Sequence, residues 1–290
     1  MKKLFSSALL LAFASFLFSP SIFAAEEGII DTGDTTWVIV ALALVLFMHV
    51  PGLALFYGGL VSEKNVVSTL MHSFVSLIIV SIVWVLWGYS LSYGTSIGGF
   101  IGSLNYLGMN GVDGAAYPGL TIPHYLFAAL QIVYVSITVA IISGGISGRI
   151  SFKAWIPFCV LWPTIVYAPM AHAVWGGGWL SQMGELDFAG GTVIHITSGV
   201  AALVAALVIG PRKRHTEEKP HNIVFFLFGA ATLWFGWFGF NGGSALASGS
   251  LASLAILNTH VAGAAGGLAW LMIEWSIRKR PTLVGTATGA

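Results

Sequence analysis

The chain has 290 residues, of which 57% are hydrophobic and only 8% charged, with a formal net charge of +1. Soluble domains carry about 25% charged residues, so a chain this poor in charge is solvated mainly by lipid. The near-zero balance argues against a nucleic-acid partner, and the single cysteine, Cys159, excludes an intrachain disulfide.

Residues 1–24, MKKLFSSALLLAFASFLFSPSIFA, combine two lysines, a short apolar core and small residues before AEEG. The pattern predicts a secretory signal peptide rather than a span, because its apolar core is too short to cross a bilayer. Cleavage would leave the mature N-terminus outside the cytoplasm, and residues 25–290 as one transmembrane domain.

Seven apolar segments of bilayer-crossing length follow, at about 35–60, 66–92, 123–146, 152–172, 190–210, 222–241 and 254–276. LVGTATGA starts an eighth. The expected fold class is therefore all-α, a polytopic membrane helix bundle. Lys and Arg beyond the leader fall at four places: Lys64; Arg149 and Lys153; Arg212, Lys213, Arg214 and Lys219; and Arg278, Lys279 and Arg280. These follow the first, third, fifth and seventh segments, and the intervening loops have none. That alternation predicts an N-out protein of the cell (inner) membrane by the positive-inside rule. Gly, Ala and Ser crowd the spans, as in AAGGLAW, and let helix backbones approach closely in lipid. PGLALFYGG and WFGFNGGS echo each other faintly, as internal duplication would make them.

Asp187 and His195 raise the functional question, since ionisable groups in or near a span usually mark a pathway or a relay. Asp187 is open to two readings. It could be a counter-ion for a cation, or, preceding FAGGT at a helix start, an N-cap bonded to free backbone amides; the spacing favours the cap. His195 lies eight residues on, roughly 12 Å along a helix axis. Ser198, Gly199, Ala202 and Ala206 follow it at helical spacing, a narrow stripe with little polarity. Trp175, in AHAVWGGGWL, reads as an interfacial anchor. Tyr134 and Phe240 read as core aromatics, and Ser244 as a packing residue.

The segment DFAGGTVIHITSGVAALVAALVIGPR, residues 187–212, resembles the signature of the ammonium transporter family, which includes the Rh proteins. PGLALFYGGLVSEKNVVS, GYSLSYG, AHAVWGGGWL, GWFGFNGGSA and NTHVAGAAGGLAW resemble other blocks of that family, in order. The resemblance covers about residues 35–290 and implies an eleven-span inverted-repeat transporter fold. This chain resembles the first two-thirds of it and is expected to be C-terminally incomplete.

The resemblance implies transport of ammonium or ammonia, without enzyme activity, cofactor or bound metal. It implies substrate binding by Trp175 through cation–π contact, with Ser244 as hydrogen-bond acceptor and Tyr134 beside them. Tyr134 and Phe240 match two stacked aromatic gates, the upper more often Phe, and His195 matches one of a pair of pore histidines. Asp187 takes a site-structuring role. A homotrimer in the lipid bilayer and a cytoplasmic nitrogen-signalling protein are the implied partners; an ammonium sensor is the alternative use of the same site. SEKN lacks the Arg, and SGRISF the acidic residue, often found there. No TVGYG-like filter suggests a potassium channel. No HExxH, nor two histidines at ligand spacing on one helix, suggests a metalloenzyme.

Overall fold

The computed structural model describes residues 29–211 and 219–290. The predicted leader, and Arg212, Lys213 and Arg214 of the third basic group, lie outside the described residues. Among the described residues seven helices are long and apolar enough to cross a membrane: α1 (Thr32–Leu60), α2 (Glu63–Tyr93), α3 (His124–Ile146), α4 (Phe152–Gln182), α5 (Gly191–Ile209), α6 (Ile223–Gly243) and α7 (Ser250–Arg278). A short α8 (Leu283–Gly289) follows. The shortest of the seven, 19 residues, extends about 28 Å at 1.5 Å per residue, close to the ~30 Å hydrocarbon thickness. The chain is a multi-pass membrane protein with an all-α bundle.

Three of the spanning helices, α1, α4 and α6, begin where the sequence supplies a side chain for the free amides. Asp31 accepts from the amide of Asp34 at 2.8 Å at the start of α1. Ser151 caps α4, and Asn222 Oδ1 accepts from Val224 and Phe225, both at 3.0 Å, to cap α6. Bends also follow the sequence. Pro51 lacks an amide proton, and α1 departs from helical geometry beside it, at Val50 (φ −135°, ψ 114°). Wider π-type turns occupy Trp84–Gly88 in α2 and Pro163–Tyr167 in α4. The bend lets α4 continue to Gln182, ten residues beyond the predicted end at 172, interrupted only at the glycines of WGGGW.

α3 is the central helix, buried along most of its length and packed against α1, α2 and α5. Its 23 residues include Leu130, Val135, Val139, Ala140 and Ile142, all fully buried. α1 and α6, which carry the two echoing segments, pack against each other. Glycine makes this possible: a Cβ on Gly59 would lie 2.6 Å from the Asn222 carbonyl and 2.8 Å from Phe226 Cα. The outer faces of α5 and α7 are left apolar and exposed, as at Val200, Leu203, Leu207, Leu254, Leu257 and Val261. In water such a surface would drive association; in lipid it is solvated.

The described basic residues Lys64, Arg149, Lys153, Lys219, Arg278, Lys279 and Arg280 all lie at one end of the bundle. There Arg149 donates to the carbonyls of Gly210 (2.7 Å) and Gly145, tying the last turns of α5 and α3 together. At the opposite end residues 94–123 fold over the helices and include a small antiparallel hairpin, β1 (Ser96–Ile97) with β2 (Ile101–Gly102). His172 fastens it: Nδ1 lies 3.0 Å from the Ser92 carbonyl and Nε2 2.8 Å from Ser96 Oγ. Asp34 joins the same end by accepting from Thr121 (2.5 Å) and from Ser248 (2.7 Å to its amide).

Candidate functional site

Asp187 closes the turn that leads into α5. Its Oδ1 accepts from the amides of Gly190 (2.6 Å) and Gly191 (2.7 Å), and its Oδ2 from those of Thr192 (2.8 Å) and Val193 (3.0 Å). A helix start exposes four amides without intrahelical partners, and one carboxylate here meets four. The turn requires Gly190, whose φ of +87° favours a residue without a side chain. The backbone of the same residue does a second job: the Asp187 carbonyl accepts from Trp175 Nε1 at 2.8 Å. Trp175 opens the non-helical stretch 175–178, at the C-terminal cap of the helical segment Ala168–Val174. Its indole edge is thereby fixed and its ring remains half-buried.

Trp175, Asp187, Tyr134 and Ser244 line one cavity of about 410 Å³ at the end of the bundle opposite the basic residues. Tyr134 is 3% exposed, and its hydroxyl lies 3.1 Å from Ser244 Oγ and 3.1 Å from the Phe240 carbonyl. Ser244 in turn donates to the Phe240 carbonyl at 2.7 Å. The Tyr134 hydroxyl is thus held by α6 and pins the ring. Burial pushes the Tyr117 phenol, on the same cavity, up to about 12, with Tyr106 adding to the shift, so it stays neutral near physiological pH.

The Tyr134 and Phe240 rings are 4.8 Å apart between centroids and tilted by 48°. Phe240 is buried beneath Tyr134 and lines a second cavity of about 650 Å³ with His195, Leu233 and Trp237. His195 stands 5.8 Å from the Phe240 ring. Its imidazole has no hydrogen-bond partner among the described residues. The six predicted site residues therefore divide: four on the first cavity, Phe240 and His195 on the second, with the aromatic pair between.

The stripe expected below His195 is only partly present. Ser198 is buried, and Ala202 packs on Gly145 of α3, where a Cβ would meet it at 2.8 Å. Gly199 alone stays exposed with His195. The reason is local winding. Gly191–Ile196 forms a π-type turn, with the His195 amide bonded to the Gly190 carbonyl at 2.9 Å, and this rotates His195 relative to the regular helix after it.

Two buried polar groups on the first cavity were not singled out by sequence: Gln131 (5% exposed) and Tyr93 (8% exposed). Neither Gln131 Oε1 nor the Tyr93 hydroxyl has a hydrogen-bond partner. A signal for Gln131 existed, since Phe127, Gln131 and Tyr134 follow i, i+4, i+7 spacing and, after His124, it is the one side chain of the helix that is neither apolar nor hydroxyl-bearing. Among the described residues no cluster of three His, Cys, Asp or Glu could hold a metal ion.

Comparison with known proteins bears on this arrangement. The profile of the Ammonium Transporter Family matches residues 36–290. An ammonium transporter of Bacillus subtilis is 52% identical over 262 residues, which cover 89% of this chain and 64% of that protein. One from Aquifex aeolicus is 46% identical over 290 residues, covering 98% of this chain and 66% of the relative. The chain thus spans just under two-thirds of these relatives' lengths. Among solved structures, Saccharomyces cerevisiae Mep2 is similar with a TM-score of 0.84 and 38% identity, over 90% of this chain and 59% of that one. A structure described as a sensor Amt protein is similar at a TM-score of 0.80 and 32% identity, over 86% and 64%.

Proposed function

Because the chain belongs to the ammonium transporter family, we propose that it carries ammonium across a membrane, taking the ion up at Trp175 and passing ammonia beside His195. The observation that carries the reading is the pair of cavities divided by Tyr134 and Phe240. The first offers a cation an indole face and the Ser244 oxygen; the second is walled mostly by apolar side chains and holds the His195 imidazole.

Magnitudes decide where the charge can go. A free charge at the bilayer centre costs from about 3 to more than 10 kcal/mol. A desolvated cation–π contact gives about 2 kcal/mol and one hydrogen bond to a charged donor about 1.5–3 kcal/mol. Together they hold an ammonium ion at the mouth but not at mid-membrane. Desolvation disfavours the charged form, so the ion loses its proton below the mouth, ammonia crosses the second cavity, and the proton is carried across separately, so that each ammonium taken up moves one charge. Asp187 acts through structure: its carboxylate is taken up by four amides, and its carbonyl positions the indole.

On this reading the basic end faces the cytoplasm, residues 1–24 are the cleaved leader, and residues 25–290 belong to the transport domain of a homotrimer in the inner membrane. The cytoplasmic face is where a nitrogen-signalling protein would act. The test is His195→Asp in the full-length protein, read as ammonium- and potassium-evoked currents from proteoliposomes. Lost flux or admitted potassium is expected; normal ammonium current with potassium excluded would refute the pore role. A sensor would use the same first cavity, a reading supported by similarity to the sensor Amt structure. It requires ammonium binding without flux in the same vesicles.

A further inference from the structure

The uptake reading above, on which this inference rests, leaves the ion short of acceptors. Ammonium has four N–H donors. Ser244 Oγ already donates to the Phe240 carbonyl (2.7 Å) and shares a bond with the Tyr134 hydroxyl (3.1 Å), so at most one of its lone pairs faces an ion. Both Asp187 oxygens are occupied by backbone amides, and the Trp175 N–H is spent on the Asp187 carbonyl.

One turn from Tyr134 on α3, roughly 4.5 Å nearer the open end, stands Gln131. It lines the cavity, is 5% exposed, and its Oε1 has no partner. Buried side-chain amides are nearly always paired, because an unbonded one forfeits its hydration for nothing. The Tyr93 hydroxyl on the same cavity wall is unpaired as well, so the two polar groups do not satisfy each other. A half-turn of the amide exchanges oxygen and nitrogen within the same volume, which lets the oxygen meet whatever donor enters.

We propose that Gln131 is a second hydrogen-bond acceptor for the ammonium ion, its Oε1 taking one N–H while Ser244 takes another. The side chain then sets affinity at the mouth and leaves passage through the second cavity untouched. Losing a hydrogen bond to a charged donor weakens binding about tenfold or more.

The test measures ammonium-evoked current against concentration in proteoliposomes holding the full-length protein, for Gln131→Leu, Gln131→Glu and Trp175→Leu. Gln131→Leu keeps bulk without an acceptor, and a half-saturating concentration raised about tenfold with the maximal current retained is expected. Gln131→Glu keeps an acceptor oxygen whether ionised or not, and should load at or below the parent's concentration. If Leu changes half-saturation less than about twofold while Trp175→Leu weakens loading, Gln131 is not an acceptor and the uptake reading survives. If neither variant weakens loading, the uptake reading itself fails. Should Glu weaken loading as much as Leu, Gln131 acts by shape alone and the proposal is overturned. Where Gln131→Leu does not reach the membrane folded, Gln131→Met takes its place with the same expected outcome.

Discussion

Replacing Asp187 separates charge from geometry. Asp187→Asn keeps the volume and one acceptor oxygen, so the amides of Gly190 and Gly191 keep their partner. The new NH2 group faces the amides of Thr192 and Val193, donor against donor. Two hydrogen bonds to a charged acceptor are lost, nominally about 3–6 kcal/mol. Asp187 is half-buried, so water reaches the stranded amides and about 3 kcal/mol is expected to survive. At about 2–4 °C per kcal/mol, the apparent melting temperature falls by roughly 6–12 °C, measured on detergent-solubilised protein. The turn also carries the carbonyl that holds Trp175 Nε1, so ammonium uptake weakens with it. Asp187→Glu decides between the two readings of the residue. It retains the charge, but an extra methylene cannot place two oxygens under four amides. A capping role requires Glu to fail like Asn; a counter-ion role requires Glu to load ammonium like the parent. Parental stability and transport in both variants would refute the capping argument.

Other substitutions follow from the same geometry. Trp175→Leu removes the ring face and is expected to raise the half-saturating ammonium concentration about 30-fold, the equivalent of ~2 kcal/mol, read from current–concentration curves. Tyr134→Phe removes the hydroxyl bonded near Phe240 and Ser244; thermal unfolding should register about 1 kcal/mol of lost stability while ammonium currents persist. Gly59→Ala puts a Cβ against the Asn222 and Phe226 backbone, and separation of α1 from α6 should lower the yield of folded protein in size-exclusion profiles. Asn222→Ala removes the cap accepting from two amides and should cost about 1 kcal/mol in the same unfolding assay, without altering half-saturation.

Much of this architecture is legible in one dimension, because lipid acts on each segment separately. Any stretch of some 20 apolar residues must close its own hydrogen bonds as a helix, and basic residues must stay at one face. So the seven spans could be counted before any of them was packed, and the fifth, predicted at 190–210, is found at Gly191–Ile209. Asp187 was readable as a cap for a related reason: its partners lie within six residues of it. The end of α4 was not readable, because whether a chain continues past 172 depends on how its bend packs against the outer hairpin. Nor was the fate of Ser198 and Ala202, since a π-type turn shifts the face by a fraction that residue counting does not include.

Composition, span number and the sorting of charge are thus properties of the chain itself, because hydropathy and charge act where each residue sits. Which side chains share a cavity belongs to the tertiary structure alone. Tyr134 and Ser244 are 110 residues apart and bond at 3.1 Å, and Gln131 joins Trp175 on one cavity only because α3, α4 and α6 converge there. Close packing of small residues joins α6 to α1 and α3 to α5, and only in that assembled bundle do two cavities meet at a single pair of rings.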